Sequence, residues 1–189
     1  QFAAKRIPKR HLTMCTPCVV RHELEIHRQL SHPNVVQLHH FIETNKECVF
    51  ILTLCDKRSL LSMLNDTQGH LSFKIVQRLA RQLAQGLRYV HAQGIVHCDI
   101  KLENLLFLKD QIQIADFGLA YDAKSHPFQT DCVGSLVYIA PEVITARKTN
   151  TSYNASIDIW SSGVVLYMLC EKRSPFKFCE TSKSKSFQQ

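Results

Sequence analysis

The sequence predicts an α+β fold in which a small β-rich region precedes a larger, mainly helical region. The apolar run V-F-I-L at residues 49–52 has the length and composition of a buried strand. Apolar residues recur at helical spacing through residues 72–93, and residues 157–170 are apolar on nearly every side, as in a central buried helix. The length of 189 residues suits one domain or slightly more.

The composition indicates a folded protein with a basic surface. Hydrophobic residues make up 45% of the chain and the net charge is +7, so a sizeable core is expected rather than wholesale disorder. No apolar run approaches the ~20 residues of a membrane span, and no basic-aromatic nucleic-acid module is present. We expect neither a membrane nor a nucleic-acid partner. The basic surface suits acidic or phosphorylated partners.

The eight cysteines are scattered without the spacing of a disulfide framework. Together with the polar motifs at residues 97–104 and 115–118, which are described below, this scatter favours reduced thiols and an intracellular location. Four residues of a predicted loop have the spacing H-x3-C-x2-C-x3-H: His11, Cys15, Cys18 and His22. A zinc site of mixed ligands is one interpretation, and polar loop residues without a metal are the other. The spacing fits no known zinc module, which favours polar loop residues.

The elements of the first region follow from local patterns. Residues 2–8 are apolar around Lys5 and predict a strand, residues 11–20 predict a loop, and residues 21–30 predict a helix. Residues 35–54 predict two strands joined by a polar turn at residues 43–47.

The second region is predicted to start with a short helix at residues 59–64. A long helix follows Ser72 as its N-cap and stops at Gly94. A hairpin is predicted around residues 109–110. Residues 179–189 are rich in lysine and serine and are predicted to be disordered.

Two polar motifs, H-C-D-I-K-L-E-N and A-D-F-G, carry a set of groups suited to phosphoryl transfer. Asp99 could accept a proton from an attacking hydroxyl, and Lys101 could neutralise a transferring phosphate. Asn104 and Asp116 offer the hard oxygen ligands that Mg²⁺ prefers. Phosphoryl transfer depends mainly on positioning and charge neutralisation, which these four residues supply.

These motifs resemble the catalytic and metal-binding loops of eukaryotic protein kinases, and A-P-E at residues 140–142 and D-I-W-S-S-G at residues 158–163 follow in the family's order. The resemblance implies a bilobal protein-kinase-like fold. Residues 1–54 would form a partial small β-lobe and residues 55–178 a partial, mainly helical large lobe, followed by the tail at 179–189.

The resemblance also implies sites for ATP and Mg²⁺. Lys5, paired with Glu23, would hold the α- and β-phosphates, and Glu25 would face elsewhere. Asn104 and Asp116 would bind Mg²⁺. The remaining implied contacts concern the adenine: Ala3 lies against it, Leu52 controls the back pocket, Thr53 and Cys55 belong to the hinge, and Leu106 closes the slot from below.

Further positions are implied to control the catalytic loop. Ser135 would orient Asp99 and Lys101, and Asp158 would anchor the backbone of the catalytic loop. His27 falls where the family usually has an apolar residue against Phe117, which predicts a looser closure of the helix that carries Glu23.

The position of the usual activating phosphorylation is occupied by Asp131, with Thr130 beside it. Cys98 replaces the arginine that clamps such a phosphate, and a thiol cannot form that bidentate bond. We therefore expect weak control by phosphorylation of this segment.

Within the kinases, several stretches resemble the polo-like family: residues 2–8, 35–41 and 55–60, together with Leu102 where most kinases have proline. Aurora-like and calcium/calmodulin-kinase-like families are the alternatives. A polo-like kinase would phosphorylate serine or threonine in protein substrates. It would act in the cytoplasm or nucleus, including the centrosome and spindle.

The sequence also departs from the kinase pattern. No glycine precedes Gly69, so the glycine-rich loop over the ATP phosphates is missing, and the recognisable fold stops at residues 174–176. These departures predict a kinase truncated at both ends. The alternative function is therefore a catalytically weak or inactive kinase fragment that binds partners or competes with a full-length relative.

Overall fold

The computed structural model describes residues 1–9, 16–125, 133–149 and 151–176. It confirms the predicted α+β class, with a β-rich first region and a mainly helical second region. None of the helices in these ranges is long and apolar enough to cross a membrane. The tail at residues 179–189 lies outside the described ranges, so its disorder stays a prediction.

The first region is a three-stranded antiparallel sheet with one helix against it. In chain order its elements are β1 (Phe2–Pro8), α1 (Thr16–His27), β2 (Leu38–Glu43) and β3 (Glu47–Thr53). The strand order is β1-β3-β2, and Lys5 lies opposite Phe50 of the central strand. The predicted pair of strands with its polar turn is therefore confirmed.

Helix α1 differs from its predicted bounds at both ends. It begins at Thr16, five residues before the predicted start, because Val20 is buried against Cys48 and Phe50 of β3 and anchors an earlier turn. It ends at His27, since Gln29 and Leu30 donate to carbonyls only three residues back. The prediction of a loop over residues 16–20 was wrong, because the local sequence preference of so short a segment is weaker than the packing of Val20.

Within the described residues the second region contains two small sheets, four α-helices and one turn of 3-10 helix at Leu102–Asn104. Its elements are β4 (Asp56–Ser59), α2 (Leu60–Asp66), α3 (Phe73–Ala92), β5 (Ile95–Val96), β6 (Leu105–Leu108), β7 (Gln111–Ile114), β8 (Tyr121–Asp122), α4 (Pro141–Thr149) and α5 (Ser156–Glu171). The sheets have the orders β4-β6-β7 and β5-β8. The boundary proposed after residue 54 falls between β3 and β4.

Helix α3 is the main support of this region. It starts directly after Ser72, as predicted, and its apolar stripe is buried against β7 and α5. The short helix α2 was also predicted, and it is stabilised by a capping box in which Ser59 and Ser62 exchange hydrogen bonds. Both helices therefore form where their sequence signals indicate.

The two regions are joined at Asn34 and Val36, which lie between α1 and β2. Val36 N donates to Ile114 O (2.9 Å), and Ile114 N donates to Asn34 O (2.9 Å). The side-chain amide of Asn34 also donates to Ile112 O at 2.9 Å. These buried bonds tie the sheet of the first region to β7, directly before the A-D-F-G motif.

The prediction that α5 is buried on nearly every side was wrong. Its buried face includes Asp158, Val165 and Leu169, and α3 packs against the helix. Trp160 and Phe176 instead stack on each other in a partly exposed patch, with ring centroids 5.6 Å apart. Apolar composition permits burial, but no element within the described residues covers this second face.

Gly86 lets α3 approach β7 closely, which gives a test of this packing. A Cβ at position 86 would lie 2.8 Å from Ile114 Cδ1 and 3.1 Å from Asn34 O. Alanine normally stabilises a helix over glycine by about 1 kcal/mol. We expect Gly86→Ala to lower the free energy of unfolding by about 1–3 kcal/mol instead, because the core is overpacked.

Urea unfolding measures this change, with Arg88→Ala on the exposed face of α3 as the control. A stabilised Gly86→Ala protein would show that the helix and β7 are not in close contact.

Candidate active site

The buried carboxylate of Asp158 holds the start of the H-C-D-I-K-L-E-N loop. Its two oxygens accept hydrogen bonds from His97 N and Cys98 N, both at 2.9 Å. Cys98 has φ of +66°, a left-handed conformation that costs a non-glycine residue free energy and needs such support. The predicted anchoring of this loop by Asp158 is therefore observed.

Asp158 has a third partner, which the sequence did not reveal. His91 Nε2, at the end of α3, lies 2.8 Å from Asp158 Oδ2. A histidine in the last turn of an amphipathic helix gives no signal of this role, because the contact depends on how α3 packs against α5.

Asp99, Lys101 and Ser135 form one hydrogen-bonded group. Lys101 Nζ lies 2.7 Å from Asp99 Oδ2 and donates to Ser135 Oγ at 3.0 Å, and Ser135 Oγ donates to Asp99 Oδ1 at 2.9 Å. Asp99 is only 7% exposed. The predicted contact of Ser135 with both residues is therefore observed, and it fixes the carboxylate and the ammonium side by side.

A second set of contacts joins this loop to the A-D-F-G motif. His97 Nε2 lies 3.1 Å from Ala115 O, and the His97 ring makes an edge contact with Phe117. Ala115 N donates to Asn104 O at 2.9 Å. Asp116 has φ of +66°, so a second strained residue lies at this junction. The two motifs thus form one site although they are separate in sequence.

Lys5 connects this site to the first sheet. Its Nζ lies 2.7 Å from Glu23 Oε1, as predicted, and 2.8 Å from Asp116 Oδ1, a contact that no sequence signal indicates. Burial is the largest influence on the pKa of Lys5 and lowers it, but the two carboxylates outweigh burial and raise the pKa. Glu25 is exposed, as expected.

Asp116 is held in its charged form by the same contact. Burial raises the pKa of its carboxyl, but Lys5 and a backbone hydrogen bond from Gly118 outweigh burial and hold the pKa below its ordinary value. A charged Asp116 is the form that can bind a cation.

The predicted loosening of α1 by His27 is not observed. The His27 ring lies against Phe117 with centroids 5.0 Å apart, and His27 Nε2 lies 2.7 Å from Val36 O. Lys5 reaches Glu23 at the same time. The hydrogen bond to Val36 holds the polar ring in place, so a histidine here still allows α1 to close on the site.

Asn104 and Asp116 each carry an oxygen ligand that suits a hard divalent cation. The Asn104 amide nitrogen donates to Asp99 O (2.9 Å) and Asp99 Oδ2 (3.0 Å), which leaves its oxygen without a hydrogen bond within the described residues. The Asp116 side chain is 48% exposed. An amide oxygen and a carboxylate suit Mg²⁺ or a similar ion.

The residues predicted to surround adenine lie in two sheets. Ala3 and Leu52 are opposite each other in β1 and β3, and Phe2 is opposite Thr53. Cys55 is buried between β3 and β4, and Leu106 lies on β6 opposite Gln113. Ala3 and Leu52 are thus brought together, whereas the part of Leu106 in an adenine slot stays a prediction.

Cys98 carries no charge in this site. Its side chain is 7% exposed, and burial raises the pKa of the thiol far above its ordinary range. A neutral, buried thiol cannot pair with a phosphate. Thr130 and Asp131 lie outside the described residues, so weak control by phosphorylation stays a prediction.

The zinc alternative cannot be placed on this structure. His11 and Cys15, and the side chain of Cys18, lie outside the described residues. His22 Nε2 lies 3.2 Å from Ala120 O. Within the part of the chain that the structure describes, no group of three or more His, Cys, Asp or Glu side chains could hold a metal ion.

The whole chain is similar in sequence to known proteins of one family. All 189 residues match the family model of the protein kinase domain. Serine/threonine-protein kinase polo of Drosophila melanogaster is 36% identical over 159 residues, which are 82% of this chain and 26% of that protein.

Two further relatives are similar to a comparable extent. Serine/threonine-protein kinase PLK4 of Drosophila grimshawi is 38% identical over 161 residues, or 83% of this chain and 20% of that protein. Serine/threonine-protein kinase dkf-2 of Caenorhabditis briggsae is 35% identical over 162 residues, or 84% of this chain and 13% of that protein. The chain thus spans about a quarter or less of the length of these three relatives.

His27 gives a pH-dependent test of the closed site. Burial lowers its pKa below the ordinary value of about 6.5, and Lys5, Asp116 and His97 are the charged or titratable groups that act on it. The unfolded chain then binds more protons than the folded chain between the two pKa values. The stability from neutral His27 is therefore complete above about pH 6.5 and is lost as the pH falls below it.

We expect His27→Leu to lose less stability than the wild type between about pH 7 and 5, with a slope difference of at most about 1.4 kcal/mol per pH unit. Urea unfolding at several pH values measures the difference. His40→Leu, at an exposed position of β2, should keep the wild-type dependence. Parallel curves for the wild type and His27→Leu would contradict the prediction.

Proposed function

Because the chain belongs to the protein kinase family, we propose that it transfers the γ-phosphoryl group of ATP to serine or threonine hydroxyls of protein substrates. The observation that carries the proposal is the group formed by Asp99, Lys101 and Ser135, in which a carboxylate and an ammonium are held within 2.7 Å. The named relatives are serine/threonine kinases.

The proposed mechanism assigns a separate role to each group. Asp99 orients the attacking hydroxyl and accepts its proton. Lys101 turns from Asp99 towards the transferring phosphate and neutralises its developing charge. Ser135 keeps the side chains of Asp99 and Lys101 in fixed positions relative to each other, because its hydroxyl contacts both of them.

Binding of the nucleotide phosphates falls to Lys5 and Glu23. In the structure Lys5 is shared between Glu23 and Asp116. We propose that Glu23 keeps Lys5 in place when it contacts the α- and β-phosphates, because Glu23 is buried and cannot move far. Ala3, Leu52, Thr53, Cys55 and Leu106 are proposed to surround the adenine.

Protein kinases use ATP with a divalent metal ion, and we propose Mg²⁺, held by Asn104 and Asp116. When bound, the ion supplies charge neutralisation for the phosphate oxygens. The chain's own contribution is to keep Asp116 charged through Lys5 and to turn the oxygen of Asn104 away from Asp99.

Substrates and location are proposed from the relatives and the composition. The similarity to polo and PLK4 supports a polo-like kinase acting on proteins. The cysteine pattern supports an intracellular location, in the cytoplasm or nucleus. No nucleic-acid or membrane partner is proposed.

Asp99→Asn tests the proposed reaction. The amide cannot accept the hydroxyl proton, so we expect phosphate transfer from Mg-ATP to casein to fall by about a hundredfold or more. Transfer is measured with radiolabelled ATP, and circular dichroism checks that the variant is folded. Asp110→Asn, in the exposed turn between β6 and β7, is the matched control and should keep wild-type activity.

Equal transfer by the wild type and Asp99→Asn would contradict the mechanism. No transfer by a folded wild-type chain would instead support the alternative of a partner-binding kinase fragment.

Ser135 is proposed as a positioning residue, and its hydroxyl is the testable feature. Ser135→Ala removes both hydrogen bonds, so we expect kcat to fall by about 10- to 100-fold with a smaller change in KM for ATP. Ser135→Thr keeps the hydroxyl and should restore most of the kcat. A threonine variant as impaired as the alanine variant would show that the hydroxyl is not what matters.

A further inference from the structure

A groove on the outer face of α3 lies apart from the catalytic residues. It has a volume of about 280 Å³, and its lining includes Asn34, Lys74, Arg78, Arg81, Gln85 and Gln111. We call it the α3 groove. None of the residues proposed above for catalysis, ATP or metal binding belongs to its lining.

Three cations line the α3 groove, and none of its described lining residues is acidic. Lys74, Arg78 and Arg81 are exposed, and their spacing of four and three residues places them on one face of the helix. Within the described residues none of the three forms an ion pair, whereas Arg6 and Arg58 pair with Glu47 and Asp66. The α3 groove therefore presents positive charge that the described protein does not neutralise.

The wall of the α3 groove is held in place by hydrogen bonds. Gln82 accepts from Ile112 N at 2.9 Å and donates to Asp110 O at 3.3 Å, which fixes α3 against the hairpin of β6 and β7. Asn34 is buried, and its amide donates to Ile112 O at 2.9 Å. A groove with such walls needs little reorganisation to bind a ligand, which favours affinity.

We propose that the α3 groove binds a carboxylate-rich segment of a protein. A helix rises 1.5 Å per residue, so the cations at positions 74, 78 and 81 are spread over roughly 10 Å along α3. An extended peptide places alternate side chains about 6.6 Å apart, a spacing that suits several separate carboxylates. A single compact phosphate would need cations that converge on one point.

A protein ligand is also favoured over a nucleic acid. None of the described residues that line the α3 groove is aromatic, although single-stranded nucleic acids usually bind by base stacking on aromatic rings. A role of the α3 groove in docking substrates would depend on the proposed function. The binding itself is measured without any phosphate transfer.

The test uses a short fluorescein-labelled peptide in which glutamate and serine alternate, and the same peptide with glutamine in place of glutamate. We expect fluorescence anisotropy to show binding of the acidic peptide and at least about tenfold weaker binding of the neutral one. Arg78→Glu should weaken binding of the acidic peptide by about tenfold or more, because it reverses a charge in the centre of the α3 groove.

Arg88→Glu is the matched control, because it makes the same change of charge on the same helix but lies outside the α3 groove. It should change the affinity by less than about twofold. If Arg78→Glu fails to fold, Lys74→Glu replaces it, since an acidic residue suits the first turn of a helix. Asp99→Asn should bind the peptide normally, which separates this proposal from the proposed reaction.

Three outcomes would overturn the proposal. The first is an equal loss of binding in Arg78→Glu and Arg88→Glu, which would indicate a general effect of net charge. The second is equal binding of the acidic and neutral peptides. The third is tighter binding of a labelled single-stranded oligothymidylate that is lost in Arg78→Glu, which would make the α3 groove a nucleic-acid site.

Discussion

The pair of hydrogen bonds from His97 and Cys98 to Asp158 is the interaction on which the rest of the site depends. A fully buried carboxylate is costly unless donors surround it, and here two backbone amides and His91 do so. The same bonds hold Cys98 in its left-handed conformation. Helix α5 and the H-C-D-I-K-L-E-N loop therefore stabilise each other, and the position of each depends on the other.

From this anchor, contacts between aromatic rings and ion pairs extend to the first sheet. His97 packs on Phe117, and Phe117 packs on His27 of α1. Helix α1 in turn carries Glu23, which pairs with Lys5. Lys5 returns to Asp116, the residue before Phe117. This closed chain of contacts joins residues far apart in sequence, so a shift of α1 would alter the charge around Asp116.

Much of this could be predicted from the sequence, because strand and helix signals are local and the polar motifs have characteristic spacing. The pairing of Lys5 with Glu23 followed from resemblance. The early start of α1 did not, because it depends on burial of Val20 against another element. The contact of His91 with Asp158 and the exposure of Trp160 likewise depend on which elements pack together. Period and propensity do not encode that choice.

Close backbone packing helps to join the H-C-D-I-K-L-E-N loop to residues 133–138. Cys98 is buried and uncharged, so it offers no cation to this segment. Instead, Gly134, at φ of +104°, approaches Cys98 so closely that a Cβ there would lie 2.7 Å from Cys98 O. That approach places the next residue, Ser135, against Asp99 and Lys101. The H-C-D-I-K-L-E-N loop is therefore held by Asp158 on one side and by the close approach of the Gly134 backbone on the other.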